Sequence, residues 1–277
     1  MREFLIRCLT ALLYVAVIAA GLCIHPYVFL SVFALITGLL LWEFYGLMNR
    51  FENASLLRIA GALGGVYLFF ACFMYASGKS DADIFLPYLL FIVYILISGL
   101  YERAPNPIRN WAYLFMGQVY CAGLLSLLNF IVFASAPGVG FCESSLFVQA
   151  LFVIVWLNDS GAYLIGSKFG RRRLFERVSP KKSWEGFFVG LVLALAFSQV
   201  LAWYAPAVSG YQWLGFAATV VVFATWGDLN ESLLKRTLGV KDSGKLLPGH
   251  GGLLDRFDSI LLAIPALYIY IRLFIRN

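Results

Sequence analysis

"MREFLIRCLTALLYVAVIAAGLC", residues 1–23, carries Arg2 and Arg7 near its start and then runs apolar to its end. A basic end before an apolar run is also the pattern of a secretory leader. No small-residue cleavage site follows it, and Leu22 stands before Cys23 where a lipoprotein leader carries a small residue. The stretch is therefore expected to remain as a first membrane span. The rest of the chain is of the same kind. Of its 277 residues 61% are hydrophobic and 13% charged, against about half and roughly a quarter in soluble domains. Too few polar residues are present to cover a water-facing surface. Inside a bilayer every backbone polar group must be satisfied within the protein, which leaves helices or a closed barrel. Barrel strands alternate apolar and polar residues, whereas these runs are continuous. The expected fold class is an all-α polytopic integral membrane protein.

A helix needs about 20 apolar residues to cross a bilayer. Runs of that kind lie near 8–25, 27–48, 57–76, 84–101, 110–133, 146–166, 185–204, 211–228 and 258–275, which predicts about nine transmembrane helices. With the N-terminus in the cytoplasm, all of the 21 lysines and arginines except Lys79, Arg272 and Arg276 fall on the inner side. That bias matches the positive-inside rule. The two polar loops, 167–184 and 229–257, then face the cytoplasm, where nucleotides are found. No internal repeat divides the chain. A single membrane domain over 1–277 is expected, with scaffold-like helices over 1–140 and catalytic helices and cytoplasmic loops over 146–277. The cysteines (Cys8, Cys23, Cys72, Cys121 and Cys142) share no CxxC spacing and read as small hydrophobic residues.

Polar chemistry is concentrated in the second half. In "TWGDLNESLLKRTLGVKDSGKLLPGHGGLLDRFD", residues 225–258, a continued helix would put Asp228, Ser232 and Lys235 on one face. Asp255 and Asp258, three residues apart at the start of the last span, can share a face as well. Asp228 and Asp255 are expected to meet across the gap between their helices. Mg²⁺ takes oxygen ligands, usually one or two carboxylates with waters and substrate phosphates. Lys235, Arg236, Lys241, Lys245 and Arg256 are phosphate partners in the same stretch. The turn from Pro248 to Gly252, with His250, Gly251 and Gly252, lets backbone N–H groups approach an anion. Each piece also has a plainer reading: a solvated basic loop, or a turn before a helix. GxxxxGK[ST] does not occur, which argues against an ordinary P-loop.

A second constellation is "WLNDSGAYLIGSKFGRRRLFERVSPKKSWEG", residues 156–186. Asn158, Asp159 and Ser160 lie inside a span, where a charge costs at least about 2.5 kcal/mol on insertion scales. They are either a functional group or a buried hydrogen-bonded knot. Ser179, Lys181, Lys182 and Ser183 precede the next span. Ser183 is placed to cap that helix, with Glu185 in its first turn. Lysines beside a helix N-terminus suit an anion. Arg171 to Arg173 read best as attraction to anionic lipid.

These residues resemble a known family. "SLLKRTLGVKDSGKLLPGHGGLLDRFD", residues 232–258, looks like the signature of CDP-diacylglycerol synthases, also called phosphatidate cytidylyltransferases: S-x-x-K-R, K-D, P-x-H-G-G and D-R-x-D follow at the expected spacing. The stretch from Asn158 to Gly186 is similar to the family's upstream segment, with Ser183 where Thr is common. The likeness covers roughly 156–258. It implies that CTP and phosphatidate give CDP-diacylglycerol and pyrophosphate, with Mg²⁺ and with a second cation such as K⁺ at a two-metal centre. It also implies about nine spans and a homodimer. The metal-ligating aspartates carry over onto Asp228 and Asp255. On charge and position, Lys235, Arg236, Lys241, Asp242, His250, Arg256 and Asp258 are assigned catalytic roles. Asn158, Asp159, Ser179, Lys181, Lys182, Ser183, Ser232, Gly251 and Gly252 are assigned to substrate binding.

The lipid phosphate itself is the expected nucleophile, attacking the α-phosphorus of CTP, so no Ser or Cys nucleophile is required. Two rival readings stand beside this one. A CTP-dependent lipid kinase would move the γ-phosphate onto a lipid hydroxyl using the same residues. A transporter would use Glu43 and Asp159 as ion sites within the membrane, but the polar features crowd into one half rather than repeating in two. No nucleic-acid partner is expected. Few loops and no obvious targeting segment favour a bacterial inner membrane, with the site facing the cytoplasm.

Overall fold

The computed structural model describes residues 2–275, apart from 53, 55, 102–105, 135–139, 245, 248 and 250. His250, Lys245 and Pro248, which the sequence marks as site residues, lie outside the described residues. The chain divides into two compact units, residues 1–146 with 241–256, and residues 147–240 with 257–277.

The first unit contains α1 (Arg2–Cys23), α2 (Pro26–Phe51), α3 (Arg58–Ala76), α4 (Ala82–Tyr101) and α5 (Pro107–Val132). Two of these helices begin in the same way, and the reason is local. His25 stands extended before Pro26, and its Nδ1 accepts from the Tyr27 N–H at 3.2 Å. Asn106 stands before Pro107, and its Oδ1 accepts from the Arg109 N–H at 3.1 Å. The side chain satisfies an N–H that the helix leaves open, while proline at the first position gives up nothing, because its missing N–H has no helical partner. Within the unit the Gln118 amide donates to the Tyr45 hydroxyl at 2.8 Å and to the Gly61 carbonyl at 2.7 Å. The Tyr45 hydroxyl in turn donates to the Leu114 carbonyl at 3.0 Å. In an apolar surrounding such groups must find partners in the protein, and here they tie α2, α3 and α5 together. Elsewhere in the core Phe29, Phe33 and Phe69 are buried against one another.

The second unit contains α6 (Leu146–Phe169), a hairpin of β1 (Arg173–Phe175) and β2 (Ser179–Ser183), α7 (Trp184–Tyr204), α8 (Gly210–Thr237) and all but the first turn of α9 (Leu254–Ile275). Within 167–184, expected as a polar loop, β1 and β2 pair as an antiparallel hairpin. α6 and α7 meet through glycines. A side chain at Gly186 would stand 2.7 Å from the Ala162 carbonyl, and one at Gly190 would stand 2.8 Å from the Asn158 carbonyl. α8 begins with a capping box, Ser209 and Gln212 each holding the other's backbone N–H.

Each run expected to span coincides with helix. Seven, α2 to α7 and α9, are long and apolar enough to cross a membrane, and the chain is an integral membrane protein. The other two fall short among the described residues. The apolar part of α1 is only Arg7–Cys23. α8 has 28 residues, a rise of about 42 Å against roughly 30 Å of hydrocarbon, and its last third carries Asp228, Glu231, Lys235 and Arg236.

Candidate active site

In the second unit, helical periodicity places Asp228 and Ser232 one turn apart on α8, and the Ser232 hydroxyl donates to Asp228 Oδ1 at 3.1 Å. Asp228 Oδ2 forms an ion pair with Lys182, which the hairpin delivers from β2. Lys235, expected as a phosphate partner, pairs with Glu231 one turn before it. Glu231 is fully buried, so its charge requires that partner. No motif marks Glu231 in the sequence; its i,i+4 spacing to Lys235 is the one signal for the pair.

Asp258 on α9 is buried, and the Asp228 and Asp159 carboxylates and the Lys235 ammonium are its charged neighbours. Close approach of α8 and α9 makes this possible: a side chain at Gly227 would stand 3.0 Å from the Ser259 backbone. Asp258 Oδ1 accepts from the Ser259 N–H at 2.6 Å. On α6, Asn158 is buried and its amide lies 3.4 Å from Asp159 Oδ1, while Asp159 is exposed. Ser183 caps α7 as expected, accepting from the Gly186 N–H at 3.2 Å. The Glu185 carboxylate holds the hairpin by accepting from the Arg172 N–H at 3.1 Å. Arg236 Nε reaches the Val178 carbonyl at 3.5 Å. Ser179 is half-buried and Lys181 exposed. The second unit thus brings Asp159, Lys182, Asp228, Ser232, Lys235 and Asp258 into one neighbourhood.

In the first unit, Asp255 organises the stretch before its own helix. Its carboxylate accepts from the Gly252 N–H at 2.9 Å and from the Ser243 N–H at 3.0 Å. Gly251 has φ +83°, where only glycine is unstrained, and a side chain there would stand 2.9 Å from the Asp255 carboxylate. The Leu247 N–H donates to the Gly251 carbonyl at 3.0 Å and closes the turn. Asp242 lies beside Gly251. Lys241 and Arg256 are exposed. Glu43, from α2, reaches this stretch and accepts from the Leu254 N–H at 2.9 Å. No motif marks Glu43; only its charge within a span pointed to it.

These residues suit a hard cation. Asp228 already holds a positive group, the Lys182 ammonium, and the other acidic side chains near it supply oxygen donors. Among the described residues no three His, Cys, Asp or Glu side chains converge as a complete metal cage. Mg²⁺ does not need one, because water and substrate phosphates commonly fill its other positions.

Carboxylates, lysines and tight glycine turns thus stand on the apolar helices of a membrane protein. A profile of the cytidylyltransferase family matches residues 5–274, and the chain belongs to that family. It is 32% identical to the phosphatidate cytidylyltransferase of Staphylococcus haemolyticus over 221 residues, 78% of this chain and 80% of that protein. It is 46% identical to the enzyme so named from Bacillus subtilis over 123 residues, 44% of this chain and 46% of that one. With the Haemophilus influenzae protein of the same name it shares 45% over 120 residues, 42% of each chain. The last two alignments take in less than half of the relative's length.

Proposed function

We propose that this chain is a phosphatidate cytidylyltransferase, in which a phosphate oxygen of phosphatidate attacks the α-phosphorus of CTP, pyrophosphate leaves, and CDP-diacylglycerol remains in the bilayer. The observation that carries the reading is the neighbourhood of Asp228 with Lys182, Ser232, Lys235 and Asp258 on a membrane frame, in a chain of the cytidylyltransferase family. Two polyanions must approach each other in this reaction. Catalysis of phosphoryl transfer rests mainly on positioning and electrostatics, which fits a site without a nucleophilic Ser or Cys.

Cytidylyltransferases generally require a divalent cation, and we assign Mg²⁺, with a second cation such as K⁺. Asp228 and Asp255 are the carboxylates proposed to hold cation, which would neutralise phosphate charge and stabilise the attacking and leaving oxygens. Lys182 is suited to move from Asp228 to a substrate phosphate, exchanging one anion for another. Lys181, Ser179, Ser183 and Asn158 are assigned to substrate, and Lys241, Asp242, Arg256 and His250 to the triphosphate side. Ser232 orients Asp228, and Lys235 keeps Glu231 neutralised while facing Asp258. Nine spans, a cytoplasmic site in a bacterial inner membrane and a homodimer complete the reading.

The test uses purified protein in detergent with phosphatidate, Mg²⁺ and CTP labelled at either the α- or the γ-phosphate. Label in the lipid from the α position alone is expected. Transfer from the γ position to a lipid alcohol would instead establish a kinase.

A further inference from the structure

Glu43 lies in the last third of α2, 211 residues away in sequence from the Leu254 N–H whose hydrogen bond it accepts. It is 8% exposed, and its Oε1 is buried without a hydrogen-bond partner. An ionisable residue within a span is costly and marks function by default. The stretch before α9 is shaped around this carboxylate. A side chain at Gly252 would stand 2.8 Å from Glu43 Oε2, and one at Gly244 would stand 2.8 Å from its Cδ. The two glycines therefore let the backbone at 244 and at 252 close on a single acid. Leu254 opens α9, so its N–H is among those the helix leaves unsatisfied, and the positive end of the helix dipole lies there too. The next residue is Asp255, whose own carboxylate holds Ser243 and Gly252.

We propose that Glu43 is a positioning residue for the reaction: it clamps the 243–254 turn to α2 and thereby fixes the direction in which Asp255 points. The inference rests on the cytidylyltransferase reading only for what the turn does, not for how it is held. The same acid supports the backbone donors of the turn and screens the helix end. Removing it frees the turn without disturbing the Tyr45–Gln118 hydrogen bonds that hold α2 to its neighbours.

The experiment combines hydrogen exchange by mass spectrometry with label transfer from α-labelled CTP, on full-length protein in detergent. Three variants are compared with wild type: Glu43→Ala, Glu43→Gln and Gly244→Ala, the last crowding the carboxylate from the side of the turn. In Glu43→Ala, amides within 243–254 are expected to exchange about tenfold faster while those of 58–76 keep their rates, as local opening predicts. The turnover number should fall about 10- to 100-fold, the usual loss for a supporting residue at a metal site. Glu43→Gln, whose carboxamide oxygen accepts the same hydrogen bond, should retain most of the protection and the rate. Gly244→Ala should loosen the same segment. Unchanged exchange over 243–254 in Glu43→Ala, or an equal rise throughout the chain, overturns the positioning role whatever the activity. Absence of α-label transfer by folded wild-type protein overturns the functional reading and leaves the exchange result to stand on its own.

Discussion

Asp255 and Asp228 are held by different kinds of donor. Asp255 is fixed by backbone N–H groups of Ser243 and Gly252, which cannot turn away without moving the chain. Asp228 is held by side chains, the Ser232 hydroxyl and the Lys182 ammonium, which can rotate. The first unit therefore presents a preset carboxylate and the second an exchangeable one. In the proposed reaction the first kind of carboxylate keeps its direction, and the second can give up its lysine. Rigid donors preserve direction, and a mobile cation follows the phosphate charge.

The sharpest way to break this comparison is to neutralise each carboxylate. Asp255→Asn and Asp228→Asn are each expected to retain less than about 1% of the cytidylyl transfer rate, beyond the ~10²-fold lost with a supporting residue. Of the corresponding alanine variants, only Asp255→Ala should also speed hydrogen exchange over 243–252, because only there does the carboxylate hold backbone. Next in size is Lys235→Met. It strands the buried Glu231 and should lower stability by about 3 kcal/mol, read from thermal unfolding in detergent. Adding Glu231→Gln should restore most of that loss.

Lys182→Met sharpens the comparison from the other side. Its ion pair is partly exposed, 27% for the lysine and 28% for Asp228, so stability should change by no more than about 1 kcal/mol. Activity should nevertheless fall about tenfold, the range covered by loss of a supporting contact, with the loss read as kcat/KM for CTP. The smallest effect is expected at Ser183. Ser183→Ala should cost about 1 kcal/mol through the lost helix cap, and Ser183→Thr should recover it.

Much of this arrangement could be read from the chain because it is local. Ser232 on Asp228 follows from one turn of helix, and Ser183 on Gly186 follows from capping chemistry. The membrane class followed from composition, and each expected span coincides with helix. Lys182 on Asp228 could not be read, because the hairpin that carries Lys182 is built from "RRRLFERVSPKKS", charged residues without strand alternation. The partnership of Glu43 with Leu254 was equally hidden, since 211 residues separate them and no local rule links them. Asp255 was legible as an acid near a helix start. Its reach back to Ser243 depends on the turn that Gly251 permits, and that conformation is not written in spacing alone.

The contact between α6 and α7 also limits how the second unit can respond to its surroundings. Where two backbones touch at Gly186 and Gly190, no side chain can rotate to let one helix slide along the other. Any slip would have to lift the helices apart and admit lipid tails between them. When a bilayer thickens on cooling or thins on warming, this pair is therefore built to lean as a single rod. The spacing between Asp159 on one member and the hairpin leading into the other is then insulated from the season of the membrane.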